Sequence, residues 1–217
     1  MSVITGLKNI RQVMDKPKSE GVKGRWLKLD DGQSVKIRFL NELDQDSPFY
    51  NEKAGSAIVV AEHTNPKDYK RKGICTINDE GRCFGCEMHR RDPKSGWRAR
   101  LRYYTNLLVD DGTEQYVAIW SQSVGPKVTS TNTIFEYAGD AGSVSNLIWR
   151  LKRNGTGTDT NYVLLPLNQD TEPFDQSTLE TFPLLETAVR QVAYADQENF
   201  YMGLLTDNAS LSTNAEW

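Results

Sequence analysis

Apolar and polar positions alternate along much of the chain with the period of a β-strand. Val35, Ile37 and Phe39 alternate with Lys36 and Arg38, which predicts a half-buried strand with a basic outer side. The same signal marks residues 57–62, 101–109 (LRYYTNLLV), 114–122 (EQYVAIWSQ), 147–152 (LIWRLK) and 162–167. Asp110, Asp111 and Gly112 join two of these runs, and an Asp-Gly pair suits a hairpin turn. Helical spacing occurs at the two ends. Ile4, Leu7, Ile10, Val13 and Met14 predict a short N-terminal helix closed by Pro17, and one irregular helix is expected near Phe135. Leu184, Leu185, Ala188, Val192 and Ala195 predict an amphipathic helix within 179–205, with Pro183 near its start. Residues 63–96 have neither period, and without a cross-link so polar a stretch could not hold a shape.

With 38% hydrophobic and 25% charged residues in 217, the chain is expected to fold around a real core. No apolar run is long enough to span a bilayer and none resembles a secretory signal, so an intracellular protein is expected, with no membrane association. A net charge of −3 speaks against nucleic acid when taken alone, yet its distribution is uneven. Between His63 and Arg102 cations outnumber acids, whereas after Arg153 the only cation is Arg190, among ten carboxylates from Asp159 to Glu216. A basic face for nucleic acid and an acidic end for other contacts would produce such a pattern.

Three cysteines within one short segment argue against a disulfide framework and for a metal. The spacing His63-x11-Cys75-x7-Cys83-x2-Cys86 contains one tight Cys-x2-Cys half-site, in which Gly85 permits the sharp turn that aims two sulfurs at one ion. Thiolate and imidazole suit zinc, and a closed four-ligand shell leaves no position for a reacting water, so a structural Zn2+ is expected. His63 is favoured as the fourth ligand because it ends a strand at the base of the insertion; His89, just behind Cys86, is the alternative.

Single strands are held by cations along the backbone and by rings on which bases stack. Arg102, Tyr104 and Asn106 share one side of their strand, and Tyr116 and Trp120 share a side of theirs. Trp149 is flanked by Arg150 and Lys152, and Trp97 is followed by Arg98 and Arg100. Any single aromatic residue in a strand is more often core, and most exposed cations do nothing specific. Their repeated adjacency makes Lys36, Arg38, Arg98, Arg100, Arg102, Arg150 and Lys152 candidate phosphate contacts and Tyr104, Trp120 and Trp149 candidate stacking rings.

With its one-His, three-Cys order, the basic run from Trp97 to Arg100 and the strand from Tyr103 to Val109, the chain resembles the single-stranded-DNA-binding, helix-destabilising proteins of T-even-type phages between about Val35 and Leu167. The resemblance implies a mainly β protein with some helix: an OB-fold-like β-barrel carrying an inserted zinc-binding subdomain, with a C-terminal helix. The expected organisation is an N-terminal arm at 1–20, a core at 21–170 with the insertion at about 63–96, and an acidic helix and tail at 171–217. The resemblance further implies sequence-tolerant binding of single-stranded DNA in phage replication, recombination and repair, in the cytoplasm of the infected bacterial host. Replication and recombination proteins are possible partners of the acidic end. The family's basic N-terminal motif is not evident in residues 1–18. No catalysis is expected, and a zinc-dependent nuclease is disfavoured because sulfur saturates the ligand set. The alternative from another class is a zinc-stabilised protein-interaction or assembly module whose basic patch meets an acidic partner.

Overall fold

The computed structural model describes residues 24–169, 176 and 178–205; the expected N-terminal helix and the tail from residue 206 lie outside these. The strand expectations hold, with different ends. β1 (Ser34–Phe39), β2 (Ile58–Asn65), β3 (Asp68–Ile74), β4 (Arg100–Asp110), β5 (Gln115–Ser123), β6 (Leu147–Asn154) and β7 (Asn161–Gln169) form one sheet in the order β3-β2-β4-β1-β6-β7, with β5 on the other edge of β4. Every ladder is antiparallel. The long β4 pairs with β5 along 102–110, while its opposite edge serves β2 at 100–104 and β1 at 107–110.

Alternation decides what lies inside the curl. Val35, Ile37 and Phe39 of β1 meet Leu107 and Val109 of β4, Ala118 and Trp120 of β5, Trp149 and Leu151 of β6 and Leu164 of β7 in one apolar interior. Trp120 and Tyr162 bring β5 and β7 into ring contact at 5.8 Å. No ladder joins these strands among the described residues, so the sheet is curled but not closed, and an OB-fold is not established. A helix covers the gap. It packs on both β5 and β7 and buries Ile134, and it runs over Thr129–Ala141, where one irregular helix near Phe135 was expected. The turn that follows is held by the buried Glu42 carboxylate, which accepts hydrogen bonds from Ser143 Oγ (2.5 Å), Val144 N–H (3.1 Å) and Ser145 N–H (3.1 Å).

The single C-terminal helix expected within 179–205 is two short ones, Leu184–Thr187 and Tyr194–Tyr201, with non-helical backbone between. Tertiary contacts override the helical pattern there. Val189 is buried beside Tyr104, Ile119 and Leu184, and the Arg190 carbonyl accepts a 2.9 Å hydrogen bond from the Ile74 amide on the free edge of β3. The segment thus crosses the outer face of the sheet at 182–189, turns around the β3 edge, and brings its last helix to the inner side, where Tyr201 lies against Gly73. No helix among the described residues is long and apolar enough to cross a membrane.

Candidate metal centre and the basic face beside it

Residues 63–97 acquire their shape from short elements around four donors. β2 delivers His63, β3 ends beside Cys75, and two short helices follow: α1 (Ile77–Glu80), and α2 (Phe84–Arg91), which starts directly after Cys83. The donor atoms of His63, Cys75, Cys83 and Cys86 all lie within 4.8 Å of one another. Cys75 and Cys86 sulfurs are 3.5 Å apart, and Cys86 Sγ is 3.3 Å from His63 Nε2. A tetrahedral ion with thiolate and imidazole bonds of ordinary length sets donors about 3.5–3.8 Å apart, so this group could hold a metal ion with small adjustment. His63, not His89, is the nitrogen donor of the cluster.

The surroundings orient the ligands. His63 Nδ1–H donates to the Trp97 carbonyl at 2.7 Å, which leaves Nε2 facing the sulfurs. Gly85 is required by space: a Cβ there would lie 2.3 Å from His63 Cγ. Burial alone would raise the Cys83 thiol, but hydrogen bonds from His63 and from the amides of Cys86 and Thr76 outweigh it and bring the group down to about 6. Cys86 is pushed up to about 12 by burial, by its contact with Cys75 and by the charge on Cys83. Three adjacent thiols resist common ionisation unless a cation sits among them, which is the chemistry expected of a metal centre.

The far end of the chain completes this lobe. Gln197 accepts from the Phe84 amide (2.8 Å) and donates to Thr76 Oγ1 and the Val192 carbonyl (both 3.0 Å). Phe84, Trp97, Phe200 and Tyr201 form a small aromatic core of their own, with Trp97 and Tyr201 ring centroids 4.9 Å apart. Sequence reasoning missed this union, since no local pattern links residue 84 to residue 197.

The cationic candidates come together on one face. Cross-strand register places Lys36, Arg100, Arg102, Tyr104, Arg150 and Lys152 all on the outer side of the sheet, away from the interior. Lys36 and Arg150 are direct neighbours across β1 and β6. The segment 182–189 divides this face, leaving one patch at Lys36, Arg150 and Lys152 and another at Arg100, Arg102 and Lys72, while Arg98 is exposed just ahead of β4. Among the described residues none of these seven cations forms an ion pair. Arg102 Nε donates to Ser121 Oγ at 3.3 Å, and burial together with the Arg102 charge lowers Lys72.

The stacking candidates fare differently. Trp149 and Trp120 lie in the apolar interior and offer no face to a base, because the sides they occupy point inward. Tyr104 is on the outer side but is covered by Leu184 and Val189, and its hydroxyl donates to Glu62 at 2.6 Å. Arg38 is buried too, donating to the Ser145 carbonyl at 3.0 Å, which makes it a strut rather than a surface contact. Trp97, followed by Arg98 and Arg100, is buried in the lobe. No family model matches the chain, and neither curated proteins nor solved structures give a match to it.

Proposed function

We propose that this protein binds single-stranded DNA without marked sequence preference, through a basic surface whose shape depends on a structural zinc ion at His63, Cys75, Cys83 and Cys86. The supporting observation is the hydrogen bond from His63 to the Trp97 carbonyl, which ties the metal lobe to the start of the Arg98, Arg100 and Arg102 run. Three arginines and Lys72, none of which forms an ion pair among the described residues, outnumber the one neighbouring carboxylate, Glu62, and give the surface an excess of positive charge of the kind that attracts phosphates. One imidazole and three thiolates are donors zinc accepts in closed structural sites, and such a site leaves no coordination position for hydrolysis. An OB-like barrel with the metal lobe as an insertion fits the curled sheet and the helix across its gap.

The resemblance read from the sequence adds coating of exposed strands in phage replication, recombination and repair, in the host cytoplasm. Binding of a labelled oligonucleotide across a salt series tests the function. Affinity for single strands should exceed that for duplex and fall with salt at a log–log slope of about −0.7 per phosphate contacted. Replacing Arg98, Arg100 and Arg102 together by Gln should flatten that slope by about two units or more; a slope already flat in the native protein would end the proposal.

The second reading, a protein-interaction module, has one observation in its favour. Val163 and Leu165 are exposed on the outer face of β7, directly across from Lys152 and Arg150. A mixed apolar and cationic face of this kind suits an acidic protein partner. Co-sedimentation with oligonucleotide but with no acidic polypeptide favours the first reading.

A further inference from the structure

Trp26 stands apart from the other tryptophans that the structure describes. The residue is 39% exposed, whereas Trp97, Trp120 and Trp149 are each at 5% or below. Backbone bonds hold it in place on both sides: the Leu27 amide donates to the Ile119 carbonyl at 2.9 Å, and the Ile119 amide to the Arg25 carbonyl at 2.7 Å. The bridge to Ile119 sets Trp26 on the outer face, and its ring meets the Tyr104 ring edge to face at 6.2 Å with 72° between planes. One ring is thus fixed by another while part of it stays open to solvent.

The surroundings match a nucleotide. Ser121 is the cross-strand neighbour of Tyr104, Ser123 that of Arg102, and all four are on the same side of the sheet as Trp26. The Arg102 guanidinium reaches back along the strand to the Ser121 hydroxyl, toward the row that holds Tyr104. Arg100 is exposed one step further along this side, and Lys72 lies close enough to Arg102 for the two charges to repel. A partly exposed ring, hydroxyls, and cations that form no ion pair among the described residues are what a base, a sugar and a phosphate require of a protein.

We infer that Trp26 is a stacking platform for one base of the bound strand, with Arg102 and Arg100 receiving the adjoining phosphates. This rests on the single-stranded-DNA reading and adds the ring that strand alternation did not disclose, because Trp26 lies outside every strand. A base on Trp26 contacts no hydrogen-bonding edge, which is consistent with tolerance of sequence.

The experiment uses the full-length, metal-loaded protein with Trp217→Phe as background, so that Trp26 is the ring whose emission a base can reach. Titration with oligo(dT) is followed by tryptophan fluorescence and, separately, by anisotropy of a dye on the DNA. Trp26→Ala should weaken binding about 5- to 100-fold by anisotropy, and Trp26→Phe, which keeps a ring, should recover most of it. In Trp26→Phe the fluorescence quench should disappear although binding persists, a result that a misfolded variant could not give. Unchanged affinity in Trp26→Ala, or a full quench in Trp26→Phe, would overturn the platform while leaving DNA binding intact. Absence of binding by the background protein at low salt would overturn both.

Discussion

The curled sheet buries a continuous apolar interior around Phe39, Leu107 and Trp149, whereas the metal lobe has little beyond Phe84 and Trp97 to bury and borrows Phe200 and Tyr201 from the end of the chain. The first region follows the ordinary rule that apolar burial outweighs the entropy of ordering the chain. The second cannot, because residues 63–97 are mostly polar and their helices are short. A metal ion held by the four donors would replace burial there, and the C-terminal helix supplies the remaining apolar wall. On the proposed reading a basic surface would thereby be rigid without being backed by a core of its own, as binding of a charged polymer requires.

Removing the proposed zinc ion should break this comparison most severely. Structural zinc in small domains contributes on the order of 10 kcal/mol of folding free energy, far more than the lobe's aromatic cluster can. Treatment with a strong chelator, or Cys83→Ser, should expose the amides of 63–97 and 194–201 to rapid hydrogen exchange while the strands β1, β4 and β6 keep their protection. Loss of protection throughout the sheet would mean that the two regions are one cooperative unit, and unchanged protection in the lobe after verified metal loss would deny the ion its structural role.

Trp149→Ala attacks the other region. The substitution empties a fully buried site against Phe39 and Tyr137 and leaves the Val144 carbonyl without its indole donor, and should cost about 3–5 kcal/mol. Urea denaturation should show the lower midpoint, while the stoichiometry of the proposed zinc stays that of the native protein. If metal were lost in parallel, the sheet and the lobe would be more closely coupled than their separate cores imply.

What could be read from the sequence differs between the regions in the same way. The gathering of the four candidate donors was legible because spacing and donor chemistry are local properties, and His63 was preferred over His89 for its place at a strand end. Strand existence was legible from alternation. Alternation also paired the right neighbours, as with Arg102, Tyr104 and Asn106, but could not say which side faces the core. On β5 both sides are buried, Trp120 by the interior and Ile119 by the segment 182–189, so an aromatic residue beside a polar one was no guide to exposure. The course of that segment, its hydrogen bonds with Asn106 through Phe182, the bond from the Phe84 amide to Gln197 further on, and the edge strand β3 within a stretch lacking any period all depend on partners distant in sequence.

The smallest effect tests whether local turn chemistry is independent of both regions. In the β4–β5 hairpin the exposed Asp111 carboxylate accepts from Thr113 Oγ1 (2.6 Å), Thr113 N–H (2.8 Å) and Glu114 N–H (3.0 Å). The Thr113 hydroxyl, then the Glu114 and Thr113 amides, and last the Arg25 charge hold this group down at about 2, below its ordinary value of 3.8. A carboxyl whose folded value is depressed stabilises the fold above the unfolded value and loses that contribution as pH falls through the folded one. Asp111→Ala should therefore lower Tm slightly at pH 7, and the difference from the native protein should shrink between pH 4 and pH 2. The metal must be assessed at each pH, because thiolate protonation releases it over part of the same range. Carboxyl NMR of Asp111 in the intact chain avoids that overlap: a midpoint near 4 instead of 2 would show that the turn's hydrogen bonds do not favour the ionised form, and the Tm difference should then be absent at every pH.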